Sequence, residues 1–382
     1  MSSPERASAL EDGPTNEVRV RSPGPVTLRD VAERAGVSIT TVSRILNGRE
    51  TGVPIRDETR QRILAAAEEL GYRPNMLARA LRGSRSQLLG VIVRDISDPF
   101  HIQVLRGIDE AARDRDYHLF LGHLDWRPTE AAVFGSMFEQ SHADGIILIG
   151  DMVGGDATLD ALAERHPYIV GVTDRVSRRR VPGVYADNDV GTRLALDHLW
   201  SLGHRDVICV VDERMADGPF RASVYERYMR DHDVADRVHV YHASQPDAAP
   251  AYRLGHELFS GFERTGHPTA IFAASDTIAI GLLQAAYQHG VSVPEELSIV
   301  GFDDVDAGAY MIPPLTTVDQ RGTELGTLAA GLILDMIEKQ RPVGDVDDVV
   351  VTPRLVVRRS TATARVGQRR SMTRDSLEVG QR

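Results

Sequence analysis

Thr40, Arg44 and Asn47 recur at helical spacing, four and then three residues apart, in the stretch VSITTVSRILNG. An Arg fork flanked by short hydroxyl and amide side chains along one helix face suits the major groove of DNA, where Arg takes guanine O6 and N7 together. Ile39, at the exposed start of that stretch, suits a thymine methyl. This is the chemistry of recognition rather than reaction. HExxH, GxSxG, Walker and GxGxxG sequences are absent, so an enzyme reading finds little to rest on. Most of the 13 His show no metal-ligand spacing, and His198 and His204 in HLWSLGHRD read as structural. Cys209 is the single cysteine, which excludes an internal disulfide framework and a multi-cysteine metal cluster. Neither a metal nor a cofactor is expected. Spacing alone leaves a second possibility for the Thr-Arg-Asn row, a solvated amphipathic helix that reads nothing.

Positioning that row requires a helix, and the neighbouring residues supply its signals. Thr27 precedes LRDVAERA with Asp30 three residues later, a capping-box pattern that starts a first short helix. Gly36 marks a tight turn, Ser38 caps a second helix, and Asn47-Gly48 stops it. Val42, Ile45 and Leu46 share the opposite face and are expected to pack inward. Two short helices joined by a Gly turn make a helix-turn-helix. Asp57 opens a third helix, ETRQRILAAAEEL, closed by Gly71.

After Leu88 the period changes. Short apolar runs (LLGVIV, YHLFLG, GIILIG, YIVGV, DVICVV, RVHVYHA, TAIFAAS, LSIVGFDD) alternate with longer amphipathic stretches. Such runs fit strands buried on both faces, and their alternation with helices implies parallel sheets. About 270 residues of this alternation is long for one sheet, so two α/β subdomains are expected. The 382-residue chain, 42% apolar and 26% charged, has ordinary globular composition. No stretch approaches the roughly 20 consecutive apolar residues of a membrane span. The first residues, MSSPERASALEDGPTNEVRVR, lack the apolar core of a secretory signal. A cytoplasmic protein without membrane contact is expected. The net charge of −11 is unevenly spread: Ser22 to Arg85 hold 11 Arg against 7 acidic residues, a small basic head on an acidic body. Such a head can meet phosphates on its own.

The motifs then taken together are specific. VTLRDVAERAGVSITTVSRILNG, GYRPNMLARALR, LLGVIVRDISDPF, DNDVGTRLALDHLWSLGHRDV, PTAIFAASDTIAIGLLQA, VPEELSIVGFDD, PPLTTVDQ and LVVRRST occur in this order. The run from about residue 26 to 361 closely resembles the lactose-repressor (LacI/GalR) family of bacterial transcription regulators. The resemblance implies an all-α helix-turn-helix head and an α/β body of the periplasmic-binding-protein-like type I fold, with two Rossmann-like subdomains. The implied layout is a disordered tail at 1–24, the DNA-binding head at 25–73, a hinge helix and linker at 74–85, and an effector-binding and dimerisation body at 86–360. Within the body, 88–186 and 321–342 form one subdomain, and 187–320 and 349–360 the other. A second disordered tail is expected at 361–382.

The resemblance also assigns roles. Ile39, Thr40 and Arg44 map to base-reading positions, and Thr27, Ser38, Thr41, Ser43 and Asn47 to positions that hold the DNA backbone. The hinge helix matches Asn75 to Arg82: Asn75 caps it, Ala78 and Ala80 let two such helices approach, and Leu81 is a wedge into the minor groove. Ligands of open α/β sheets sit beyond the carboxyl ends of strands. There stand Asp95, Asp174-Arg175, Ser275-Asp276 and Asp303, with Phe100 as a stacking ring. Arg221 occupies the family's effector-binding arginine position, and each Asp has the alternative role of a helix cap. Asp187-Asn188 reads mainly as a crossover between subdomains. Three residues depart from the family pattern: Ser275 for the usual Asn, Asp98 for the Asn before Pro-Phe, and Val224 for a frequent Gly. The tail VGQRRSMTRDSLEVGQR lacks a tetramer-forming leucine heptad, which implies a homodimer. The implied function is an operator-binding repressor controlled by a small effector, a sugar, with double-stranded DNA as its partner. A purine or other non-sugar effector is the alternative, and a free sugar-binding protein a third reading.

Overall fold

The computed structural model describes residues 26–46, 55–72, 85–124, 127–150, 156–172, 181–212, 215, 217–243, 248–260, 268–344 and 346–365. The chain divides into two compact units, Met1–Ser84 and Arg85–Arg382.

Within the first unit, α1 (Leu28–Ala35) begins at a true capping box. Thr27 N–H donates to Asp30 Oδ2 at 2.7 Å, and Asp30 N–H points back to Thr27 Oγ1 at 3.4 Å. Gly36 ends the helix at φ +65°, a left-handed conformation that costs a glycine nothing. Then follow α2 (Ile39–Leu46) and α3 (Asp57–Glu69), with Gly71 again left-handed beyond α3. Val31, Ala32, Ala35, Val42, Ile63, Ala66 and Ala67 form the core, with Ile45 and Leu46 packed at its edge. The inward face expected for α2 is therefore the one that packs.

The second unit opens with β1 (Leu88–Val93), α4 (Pro99–Arg113), β2 (His118–His123), α5 (Pro128–Gln140) and β3 (Gly145–Ile149). It continues through α6 (Asp156–Arg165), β4 (Ile169–Val172), β5 (Gly183–Ala186), α7 (Asn188–Ser201) and β6 (Val207–Asp212). Next come α8 (Asp217–Asp231), β7 (Val240–Ala243), α9 (Ala248–Ser260), β8 (Ala270–Ala273), α10 (Asp276–Gln288) and β9 (Ser298–Val300). The last elements are α11 (Asp306–Ala309), β10 (Thr317–Asp319), α12 (Gly322–Lys339), β11 (Val349–Val351) and β12 (Arg354–Val356).

The strands make a six-stranded sheet, β11-β5-β4-β3-β1-β2, and a four-stranded sheet, β7-β6-β8-β9, parallel throughout. A small antiparallel pair, β10-β12, accompanies them. Each sheet reverses its winding once, between β1 and β3 in the first and between β6 and β8 in the second. Crevices beyond the strand ends open at such switch points. The first core joins the β1, β3 and β4 side chains to α4 and α12; the second subdomain has separate cores on the two faces of its sheet. The α4 and α12 backbones approach so closely that a Cβ added at Gly107 would meet Thr323 O, and one at Gly326 would meet Val104 O.

Two expectations change. Val349–Val351 pair in parallel with β5, so these residues belong to the first sheet and the chain returns to the second subdomain only afterwards. The apolar Val349–Val351 run adds an edge strand there, which hydrogen bonding to β5 holds. The C-terminal segment stays bound through residue 365 rather than leaving at 361. Ala364 N–H donates to Leu202 O at 2.8 Å, His198 Nε2 lies 2.9 Å from Thr361 Oγ1, and His204 Nε2 lies 2.9 Å from Ala362 O. The two histidines are thus clasps for this segment. The rest of the expected tails lies outside the described residues. Among the described residues, no helix is long and apolar enough to cross a membrane.

Candidate functional site

On α2, Thr40 and Arg44 stand outside the buried core. Val42 is fully buried, whereas Thr40 is exposed, Ile39 is 42% exposed and Arg44 is half-buried. Ser38 caps the helix, accepting from Thr41 N–H at 3.1 Å, and its hydroxyl lies 2.8 Å from that of Thr41. Ser43 is half-buried beside Val42. Thr27 is exposed, but its hydroxyl donates to Asp30 Oδ2 at 2.7 Å, so capping already occupies it. Asn47, Asn75, Ala78 and Leu81, with the whole hinge segment, lie outside the described residues.

In the body, Arg221 is the centre of a buried polar cluster. It sits on α8, which follows β6, and its Nη1 donates to Ala274 O beyond β8 at 2.5 Å. The guanidinium therefore spans the switch point of the second sheet. Its Nε donates to Asn188 Oδ1 at 2.8 Å and its Nη2 to Asp217 Oδ2 at 3.3 Å, while Asn188 Nδ2 donates to Asp217 Oδ1 at 3.0 Å. Asp303 Oδ1 lies 3.8 Å from Nη1, and the guanidinium carbon stacks 3.7 Å from the centroid of the Phe302 ring. Asp303, at φ +120°, also accepts from Gln320 Nε2 at 2.6 Å. Burial pushes its carboxyl well above the usual range; Arg221 opposes the shift, and Asp276 and Asp98 add to it.

Asp276 is fully buried and serves the scaffold. Its Oδ1 accepts from Thr317 Oγ1 at 2.5 Å and its Oδ2 from Val305 N–H at 2.8 Å, which ties the loop after β9 to α10 and β10. Burial pushes this carboxyl up to about 7, against the hydrogen bonds from Thr317 and Val305. Ser275 caps α10 by accepting from Ile278 N–H at 3.2 Å. Asp95 closes a turn, accepting from Ser97 N–H at 2.8 Å and Ser97 Oγ at 2.6 Å. Phe100 is only 4% exposed and belongs to the first core, against Gly322 at the start of α12, so its ring is a packing group in this state. Asp98 caps α4. Val224, fully buried in α8, is a core residue whose extra carbons point inward. Asp174 and Arg175 lie outside the described residues.

Arg221 and Asp303 are thus brought together, and Asn188, Asp217 and Gln320 join them unforeseen. Asp217 stands four residues before Arg221 on one helix, a spacing the sequence carries. Gln320 directly follows β10, so the strand-end rule reaches it too. Asn188, read mainly as a crossover, hydrogen-bonds both Arg221 and Asp217. Gln103 on α4 crosses to the other subdomain, donating to Asp304 O at 2.9 Å. The cluster combines a guanidinium fork, carboxylates and carboxamides over an aromatic face, groups whose chemistry suits hydrogen bonding to a polar ligand.

The family profile described as bacterial regulatory proteins, lacI family, matches residues 27–75. The profile of the periplasmic binding protein-like domain matches 196–361. The HTH-type transcriptional regulator DegA of Bacillus subtilis is 32% identical over 88% of this chain and 98% of its own. Among solved structures, the lac repressor dimer bound to operator and the anti-inducer ONPF shares the fold at TM-score 0.77, with 24% identity over 88% of this chain and 99% of that one. A LacI family transcriptional regulator from Enterococcus faecium with bound ribose matches at TM-score 0.65 and 26% identity, over 73% of this chain and 100% of its own.

Proposed function

Because the chain belongs to the LacI family of bacterial DNA-binding transcription regulators, which are not enzymes, we propose that it is a cytoplasmic repressor that binds operator DNA as a homodimer and answers to a sugar held between the subdomains of its body. The observation that carries this reading is the union, in one chain, of a helix-turn-helix with Ile39, Thr40 and Arg44 on its outer face and an α/β body with a buried Arg221 cluster at a strand-end crevice. A free sugar-binding protein has no use for the head. In this reading Thr40, Arg44 and Ile39 read bases, Thr27, Ser38, Thr41, Ser43 and Asn47 hold phosphates, and the segment with Asn75, Ala78 and Leu81 kinks the operator centre.

Arg221 and Asp303 anchor the ligand, with Asn188, Asp217 and Gln320 setting their geometry. Asp95, Asp174, Arg175, Ser275 and Asp276 line or brace the crevice at strand ends. Hydroxyl pairs replace the internal bonds of the guanidinium, and the ribose bound to the Enterococcus faecium relative is consistent with a sugar. Ligand shifts operator affinity only to the extent that it prefers one arrangement of the two subdomains.

Full-length protein supplies the test. Selection from random duplexes is expected to enrich a pseudo-palindromic site. A thermal-shift panel of sugars and nucleobases, followed by mobility shifts on that site, is expected to find a sugar that stabilises the protein and changes its affinity for DNA. Nucleobases acting in the sugars' place would transfer the assignment to the alternative effector. Failure to enrich any duplex would overturn the regulator reading.

A further inference from the structure

Two histidines with no part in DNA or effector recognition face each other on the second subdomain. His256 lies on α9, and His289 caps the C-terminus of α10. His256 Nδ1 and His289 Nε2 are 2.7 Å apart, with ring centroids 4.7 Å apart and planes inclined at 66°. Tyr252 packs edge-on against His256 and Phe259 against His289, so aromatic neighbours brace both rings. His256 is half-buried and His289 exposed, which leaves the pair reachable from solvent.

Two neutral imidazoles at this separation share one proton in an N–H···N hydrogen bond whose donor depends on the tautomer. Two imidazole nitrogens bound to one ion at about 2.0–2.1 Å lie roughly 2.9 Å apart at a right angle and roughly 3.4 Å apart at the tetrahedral angle. The observed spacing is nearer the right-angle value. We propose that His256 and His289 form a surface site for one divalent transition-metal ion of the copper(II) or nickel(II) class, with water completing its coordination. Among the described residues no group of three His, Cys, Asp or Glu side chains assembles, so the donor set is two imidazoles and solvent. Neutral nitrogen donors exclude magnesium and calcium, which take oxygen ligands, and the general affinity order places copper(II) first. Binding moves the shared proton, by exchange with solvent, to the far nitrogen of the ring that carried it, so both imidazoles stay neutral, and it links α9 to α10, helices already in contact where Gly255 faces Ala285.

The test uses tag-free, chelator-treated full-length protein titrated with copper(II), read by calorimetry and electron paramagnetic resonance. One ion per chain is expected, with hyperfine structure from two equatorial imidazole nitrogens. His256→Gln and His289→Gln keep a polar side chain at each position. Each is expected to weaken that binding at least about tenfold and remove one nitrogen from the spectrum. Zinc(II), measured in parallel, is expected to bind more weakly than copper(II). Metal-free melting of both variants is expected to match the parent, since the rings reach the surface. Variants that keep the parent affinity and spectrum, or a parent chain with no two-nitrogen signal, would overturn the assignment.

Discussion

Arg44 and Asp276 show how differently two charged side chains are used. Arg44 lies half-buried on α2 and outside the head's apolar core. Replacing it by alanine is expected to cost about 1–3 kcal/mol of operator affinity and to relax preference at one base per half-site, read by mobility shifts across single-base operator variants. Wild-type discrimination in Arg44→Ala would remove it from the base-reading set. Asp276 instead holds a loop from within, and burial raises its carboxyl to about 7. Its folded state then binds a proton over a range where the unfolded chain has released it, between the ordinary carboxylate value and about 7. Stability therefore falls as pH rises through that window, the reverse of a salt-bridged aspartate. Asp276→Asn mimics the protonated form and is expected to flatten the fall between pH 5 and 7, measured as urea midpoints. An unchanged slope would assign the pH dependence to other groups.

At the scale of elements, the α4–α12 contact is the tightest in the first subdomain. Gly107 and Gly326 let one helix lie against the other's carbonyls, Thr323 O and Val104 O. Gly326→Ala forces backbone apart in a filled core and is expected to cost about 1–3 kcal/mol or more, seen as a lower melting temperature of the body. A parent-like melt would show that the two helices can separate at little cost. The hinge segment carries a prediction of another kind. Leu81, outside the described residues, is expected to act as an apolar wedge, so Leu81→Ala should reduce operator bending and affinity while sugar binding stays unchanged. A circular-permutation bending assay checks this, and parent-like bending would make Leu81 a packing residue only.

At the scale of the whole molecule, the proposed function links ligand and DNA through the body. Arg221 bridges α8, the end of β8, the start of α7 and the loop after β9, so its side chain registers the arrangement of the crevice. Arg221→Ala is expected to abolish the ligand's effect on operator binding while ligand-free affinity stays within about twofold, since the head is untouched. The same change leaves Asp303 and Asp217 without their cation and is expected to lower the melting temperature of the body. Calorimetry with the ligand found by screening and a DNA titration check both. A variant that still binds ligand and responds on DNA would place the pocket elsewhere.

What the sequence by itself determined is what short-range physics writes. The Thr27–Asp30 capping box, the Gly36 turn, the inward Val42 face and the apolar strand runs each depend on residues within about one helical turn or one strand, so they are legible in order along the chain. The family motifs are legible for the same reason, as ordered local strings. The tertiary structure decided the partners. Asn188, Ala274 and Asp303 stand far from Arg221 in the chain and reach it only because the second sheet reverses its winding between β6 and β8. Asp276 faces Thr317 across 41 residues, and packing rather than residue type made it a latch instead of an open ligand group. Phe100 is an aromatic beside a strand end in the sequence, yet the start of α12 closes over it. Val349–Val351 had no local mark for one sheet over the other; pairing with β5 chose the first. Capping and periodicity are short-range, whereas burial and pairing depend on which distant segment arrives, and that is settled only when the sheets assemble.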